Sequence, residues 1–83
     1  MTLKKSNEKY FKTYDLALAA ALVAAGFFID NIDKPSYGKS SFIFLRSAAL
    51  DEVVKDYWAD KQQVNPKAYF DILKHLKTRI YSG

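Results

Sequence analysis

The sequence predicts an α+β fold: a single small domain in which a β-hairpin packs on three helices, in the order helix-strand-strand-helix-helix. Three observations predict it: an alanine-rich apolar run, two strand-like segments separated by a turn, and two amphipathic segments with helix-start signals. The chain has 83 residues, of which 49% are apolar and 16% aromatic. It is therefore long enough for one domain, whose dense apolar content offsets its small size.

The first predicted helix follows residues 1–12, which we expect to form a flexible basic arm before a domain spanning residues 13–83. Thr13 is a good N-cap residue, and Asp15 falls in the first turn, where the helix dipole favours an acid. Gly26 is a good left-handed stop. Since the residues between are apolar on nearly every side, this helix is expected to be the innermost one.

The hairpin is predicted from the segments FFIDNID and SFIFLR, at residues 27–33 and 41–46. Pro35, Ser36 and Gly38 mark the loop that joins them. The two strands are therefore expected to pair directly with each other.

Both faces of the second strand are apolar. Phe42 and Phe44 face one way, while Ile43 and Leu45 face the other. One face is expected to meet the helices. The other needs a further neighbour, either a third strand from residues 10–11 or a second subunit.

The last two helices have clear start signals. Ser47 can cap a helix that runs to about Asp60, and Asn65 followed by Pro66 marks the start of the last helix. The buried stripe of that last helix consists of Tyr69, Ile72, Leu73, Leu76 and Ile80.

The net charge of +4 is unevenly distributed along the chain. Residues 1–12 and 61–83 carry +3 and +4, whereas residues 13–60 carry −3, with four cations against seven acids. Eleven of the thirteen cations are lysine, which favours diffuse attraction to phosphate over bidentate recognition of bases. This distribution fits either a polyanion-binding surface or complementary faces that pair subunits.

The last helix carries aromatic and basic residues together beside its buried stripe. Phe70, Lys74, Lys77 and Tyr81 fall in a narrow arc, with Lys67 next to them. One interpretation is a polyanion-binding strip, in which ammonium groups meet phosphates and rings stack. The other is that the rings pack beneath the hairpin and the lysine stems lie over them.

The predicted binding residues form three sets. Those expected to contact nucleic acid are Lys67, Phe70, Lys74, Lys77, Arg79 and Tyr81 on the last helix, with Lys34, Tyr37 and Lys39 at the hairpin tip as a second small site. Those expected at a protein interface are Ile43, Leu45 and Trp58.

No pattern in the chain predicts catalysis or a metal site. The absence of cysteine and the single histidine, His75, exclude thiolate sites and pairs of histidine ligands. The tripeptide GKS at residues 38–40 resembles the end of a phosphate-binding loop, but Asp33 stands where that motif needs glycine. We therefore expect no enzyme, no cofactor, no small-molecule ligand and no membrane contact. The lack of cysteine is typical of a cytoplasmic protein.

Five patterns along the chain carry a family resemblance. They are Thr13-x-Asp15-Leu16 with the following Leu-Ala-Ala, Phe42-x-Phe44, Tyr57-Trp58, Val64-x-Pro66, and Leu76-Lys77 through Tyr81. Spread over residues 11–81, these patterns resemble a family of short uncharacterised domains found in bacteria and among phage and mobile-element genes. The resemblance implies no activity and supplies no binding residues.

The leading hypothesis from the sequence is a non-catalytic module that contacts a nucleic-acid backbone through its basic last helix. The alternative is a protein–protein interaction module, either a homodimer or a phage-type effector that docks on a host protein. This alternative is favoured by the hairpin with two apolar faces and by an acidic second helix opposite the basic ends.

Overall fold

The computed structural model describes residues 9–61 and 63–81, which form a three-stranded antiparallel sheet and three helices in one small α+β domain. The strands are β1 (Tyr10–Thr13), β2 (Ile29–Asp33) and β3 (Ser41–Leu45). The helices are α1 (Leu16–Ala24), α2 (Ala48–Trp58) and α3 (Pro66–Tyr81). The predicted α+β class is confirmed.

The sheet has one strand more than the predicted hairpin. β1 precedes α1, so the predicted order, which began with a helix, lacked its first element. β1 pairs antiparallel with β3, placing Tyr10 opposite Leu45 and Thr13 opposite Phe42. Of the two neighbours that the sequence left open for the hairpin, a third strand from residues 10–11 is therefore present.

The sheet also includes part of the predicted N-terminal arm. Just before the start of β1, the carbonyl of Lys9 accepts a hydrogen bond from the backbone N–H of Arg46 at 2.8 Å. Residues 9–12 are therefore held by backbone pairing, whereas residues 1–8 of the predicted arm lie outside the described residues.

β3 is the central strand, in the order β1-β3-β2. The register between β2 and β3 shifts at a bulge: Ile29 lies opposite Phe44, but Asn31 rather than Asp30 lies opposite Ile43. The extra residue, Asp30, is thus left without a partner in the register, and a bulge of this kind bends and twists the edge strand.

The two faces of β3 have different surroundings. Phe42 and Phe44 are buried in the core together with Leu18 of α1. On the opposite face Ile43 is half-buried, and Leu45 exposes 56% of its surface. The third strand thus extends the sheet sideways and leaves the second apolar face open to solvent.

α1 is the innermost helix, as predicted. All residues from Leu18 to Leu22 are buried, and three of them in succession are alanines. Small side chains let neighbouring backbones come close, and α1 contacts both α2 and α3. Gly26 follows the helix with a φ of +107°, which confirms the predicted left-handed stop.

The predicted cap of α1 is wrong, because Asp15 rather than Thr13 occupies the N-cap position. The Asp15 carboxylate accepts hydrogen bonds from the backbone N–H groups of Ala17 (2.9 Å) and Leu18 (3.2 Å). Thr13 is the last residue of β1, and its hydroxyl accepts the N–H of Asp15 at 3.0 Å. Because β1 continues to Thr13, the helix starts two residues later than predicted.

The caps of α2 and α3 are as predicted. The Ser47 hydroxyl accepts the N–H of Leu50 at 3.1 Å, and the Asn65 side-chain oxygen accepts the N–H of Ala68 at 3.0 Å. α2 ends at Trp58, slightly before the expected Asp60, which has a left-handed φ of 61°. The buried stripe of α3 is also confirmed, since Leu76 is buried and the other four residues pack against the core.

The observed cap leads to a first prediction. Asp15→Ala should lower the free energy of unfolding by about 1 kcal/mol, because two N–H groups of α1 lose their acceptor. Asp15→Asn should cost much less, since asparagine is also a good N-cap residue. Urea denaturation measures both changes.

The matched control is Asp30→Ala, which removes an exposed aspartate at the bulge and should change stability by no more than about 0.5 kcal/mol. Equal losses for Asp15→Ala and Asp15→Asn would contradict a capping role and point to the charge instead.

Candidate functional site

The aromatic and basic strip of α3 faces solvent. Phe70 and Tyr81 are 62% and 80% exposed, and the side chains of Lys74 and Lys77 are also exposed. The ring of Phe70 meets the ring of Tyr69 edge-on, with a centroid separation of 5.9 Å. Exposure of this size does not fit the interpretation in which both rings pack beneath the hairpin.

The hairpin tip meets the C-terminal end of α3. The ammonium group of Lys34 donates to the backbone carbonyl of Arg79 at 3.0 Å, one of the carbonyls that the last turn of a helix leaves without a partner. Lys34, Lys39 and Tyr81 line one hollow of about 660 Å³. Two groups that the sequence treated as separate sites are therefore adjacent.

We call this continuous surface the basic face. It consists of Lys34 and Lys39 from the hairpin and Phe70, Lys74, Lys77 and Tyr81 from α3. Tyr37, at the tip of the hairpin, is 91% exposed but does not line the hollow.

Sequence reasoning missed Tyr14 at the border of this surface, and it placed Lys12 in the flexible basic arm rather than on a strand. Tyr14 lines the same hollow as Tyr81, and the ammonium group of Lys12 lies 5.6 Å from the centroid of the Tyr14 ring. Both residues lie in or next to β1, and their position became visible only once that strand was paired with β3. The only signal in the sequence was the alternation of lysine with aromatic residues in KYFKTY.

The lysines of the basic face are not neutralised by nearby acids. Within residues 9–61 and 63–81, no carboxylate forms an ion pair with them. Lys67, predicted as part of the same site, instead pairs with Asp71 at 3.4 Å one turn further along α3. Both of these side chains are largely exposed, so the pair weakens the positive charge of Lys67 only partly.

Arg79 does not lie with the other predicted binding residues. It precedes Tyr81 by two residues, which places it about 200° around the helix. Together with Asp71 and His75 it lines a different hollow of about 440 Å³, against Phe28 and Ile72. The helical angle was available from the sequence and would have separated Arg79 from the strip.

The predicted interface residues line three different hollows. Ile43 lies next to Tyr10, on the open face of the sheet. Leu45 lies next to Phe28, and the 65% exposed Trp58 packs edge-on against Tyr57 with ring centroids 5.0 Å apart.

Phe28 is the exposed apolar residue that sequence reasoning missed. It is 88% exposed and lies just before β2, where it had been assigned to the strand. Its neighbour Phe27 packs against the core, so the pair of phenylalanines puts one ring inside and one outside. The available signal was the adjacency of two aromatic residues at the start of the predicted strand, where neighbouring side chains are expected to face opposite ways.

Two tyrosines near the start of α1 have perturbed ionisation. Burial raises the pKa of Tyr57 and of Tyr69 above the ordinary value of 10.0, and the negative charge of Asp15 raises both pKa values further. The Tyr69 hydroxyl donates to the carbonyl of Ala17 at 3.4 Å. Both groups are therefore neutral phenols at physiological pH, which suits packing rather than proton transfer.

The described residues offer no arrangement for a metal ion, since they contain no group of three His, Asp or Glu side chains that could hold one. Each helix in residues 9–61 and 63–81 is also too short or too polar to cross a bilayer. A strand follows the GKS tripeptide, so the geometry of a phosphate-binding loop is not formed there.

Comparison with known proteins identifies one family. Residues 8–82 match the family described as a domain of unknown function, DUF5659. The resemblance to a family of short uncharacterised domains is thereby confirmed. Neither the curated proteins nor the solved structures contain a match.

The raised tyrosine pKa values lead to a second prediction. Above about pH 10 the unfolded chain releases protons that Tyr57 and Tyr69 retain in the folded state, so the free energy of unfolding should fall as pH rises. Below that pH this contribution is fully present. Urea denaturation between about pH 8 and pH 11 measures the decrease.

The Tyr57→Phe/Tyr69→Phe variant should lose stability less steeply over the same range, because it has neither group. An identical pH slope in the variant and the wild type would show that other groups cause the alkaline loss.

Proposed function

This chain belongs to the DUF5659 family, and we propose that it is a non-catalytic binding module that contacts a nucleic-acid backbone through the basic face. The observation that carries the proposal is the meeting of the hairpin tip with the end of α3, which joins four exposed lysines into one surface. The cytoplasmic location and the phage or mobile-element origin predicted from the sequence remain part of this proposal.

The length of the basic face suits several consecutive phosphates. From Phe70 to Tyr81 the helix rises about 16 Å at 1.5 Å per residue. One strand of B-form DNA carries about five phosphates over that distance, at 3.4 Å per phosphate. The two lysines at the hairpin tip extend the surface beyond the end of the helix.

The residue types favour backbone contact over base recognition. An ammonium group is a point charge that attracts a phosphate, whereas reading a base edge usually needs a planar group with two fixed donors. The exposed rings of Phe70 and Tyr81 offer flat apolar surfaces on which a base or sugar can pack. We therefore expect binding that depends weakly on sequence and strongly on salt.

The third prediction tests the face directly. Lys74→Glu/Lys77→Glu should abolish binding to a fluorescent oligonucleotide of about 20 nucleotides, measured by anisotropy at about 50 mM salt. For the wild type, four phosphate contacts give a slope of about −3 to −4 in log K against log salt, or about a 100-fold loss between 50 and 200 mM.

A control with the same net charge separates the site from the total charge. Lys55→Glu/Lys61→Glu alters two exposed lysines at and beyond the end of α2, and it also reduces the net charge from +4 to 0. If both variants lose binding equally, the effect belongs to the overall charge and the proposed face is wrong.

The fourth prediction concerns the hairpin. Because Lys39 and Tyr81 line the same hollow, Lys39→Glu should weaken binding about as much as Lys77→Glu. The salt slope should become less steep by about one unit, since one phosphate contact is lost. Lys39→Glu with wild-type affinity and slope would limit the site to α3.

A second candidate function is protein–protein interaction. It is favoured by three large apolar side chains that are exposed away from the basic face, namely Phe28, Leu45 and Trp58. Phe28 and Leu45 also border one hollow, and a contiguous exposed apolar patch is typical of a surface that another protein covers.

A further inference from the structure

An apolar surface lies on the flank of α3 that faces away from the basic face. Its main projection is the ring of Phe28, which is 88% exposed. Beside that ring is a hollow of about 440 Å³, lined among others by Val23, Phe27, Ile72 and Leu76. A projecting ring and an apolar hollow thus stand next to each other on one patch.

Three polar residues border this hollow along α3. Asp71, His75 and Arg79 follow each other at intervals of four residues, so they lie along one side of the helix. The row begins with an acid and ends with a base, and His75 lies halfway between them. Each charged residue is about 6 Å from His75 along the helix axis.

We propose that a second copy of this chain covers this surface, in a symmetric dimer. Around a two-fold axis the same patch meets itself, so every projection needs a matching depression on that same patch. The patch has both, and Phe28 of each protomer enters the hollow of the other.

The charges on α3 are arranged for the same symmetry. When two copies of α3 run antiparallel about an axis at His75, Asp71 of each copy faces Arg79 of the other. The two contacts are equivalent because both residues are four positions from His75. Parallel copies would instead place acid against acid and base against base, which is unfavourable.

The apolar area continues beyond the hollow. Phe28 also borders a second depression that contains Leu45, one of the interface residues predicted from the sequence. The proposed dimer therefore covers Phe28 and Leu45 together and leaves Trp58 outside.

This inference rests on the second candidate function, protein–protein interaction, and is independent of nucleic-acid binding. The basic face lies on the other flank of α3, so a dimer leaves both copies of it accessible. Binding of the fluorescent oligonucleotide is therefore measured separately from dimerisation.

The first experiment measures mass by sedimentation equilibrium from about 5 to 500 μM. We expect a rise from 9.5 kDa to twice that value as concentration increases. Phe28→Ser should raise the dissociation constant by about tenfold or more, as expected for an anchor residue in a pocket. Phe70→Ser, which removes a 62% exposed phenylalanine from the other flank, should leave the dissociation constant unchanged.

The second experiment tests the antiparallel arrangement by charge reversal. Asp71→Arg alone places two cations together at each contact, and Arg79→Asp alone places two acids together, so each variant should be monomeric. A mixture of the two variants restores opposite charges at both contacts. It should therefore form a mixed dimer with an affinity near that of the wild type.

Asp71 and Arg79 are both exposed, so we expect the charge-reversal variants to remain folded. Circular dichroism checks this for each variant. A wild type that is monomeric at all concentrations overturns the proposal. So does a dimer that withstands Phe28→Ser, which would place the contact on another face, or a mixture that stays monomeric. If Phe28→Ser loses dimerisation but still binds the oligonucleotide, the two functions are separate.

Discussion

The fold depends on the burial of α1, a helix with almost no polar side. Leu18 and Leu22 pack with Phe42 and Phe44 of the sheet, while the alanines let α2 and α3 come close. No other element of the described chain is buried along its whole middle. Since both the sheet and the remaining helices need α1 as a partner, its position determines where the hairpin and α3 lie relative to each other.

That relative position creates the basic face. The hairpin tip and the end of α3 are separated by 45 residues along the chain, yet Lys34 contacts the carbonyl of Arg79. A lysine at the C-terminal end of a helix is also favoured by the helix dipole. One contact thus stabilises the helix end and brings the hairpin lysines beside Tyr81.

Local features of the fold could be predicted from the sequence, because they depend on neighbouring residues. Ser47 and Asn65 cap their helices, Gly26 ends α1, and the stripe through Leu76 is buried. Features that depend on distant residues could not be predicted in the same way. The pairing of β1 with β3 and the meeting of Lys34 with α3 need the tertiary structure. The position of Arg79 is different, because a simple count around the helix would have placed it correctly.

The bulge at Asp30 has a consequence for the behaviour of the chain at high concentration. A small sheet with one exposed apolar face, whose two edge strands pair with no further strand in the described part of the chain, is a template for open-ended strand addition between molecules, the first step towards fibrils. At one edge, β2, the extra residue breaks the regular spacing of donors and acceptors, and Asp33 adds a charge near its end. The other edge, β1, is only four residues long and contains Lys12. Both edge strands are therefore poor templates for amyloid formation. A chain in which 49% of the residues are apolar can thus keep an exposed sheet face without aggregating through its edges.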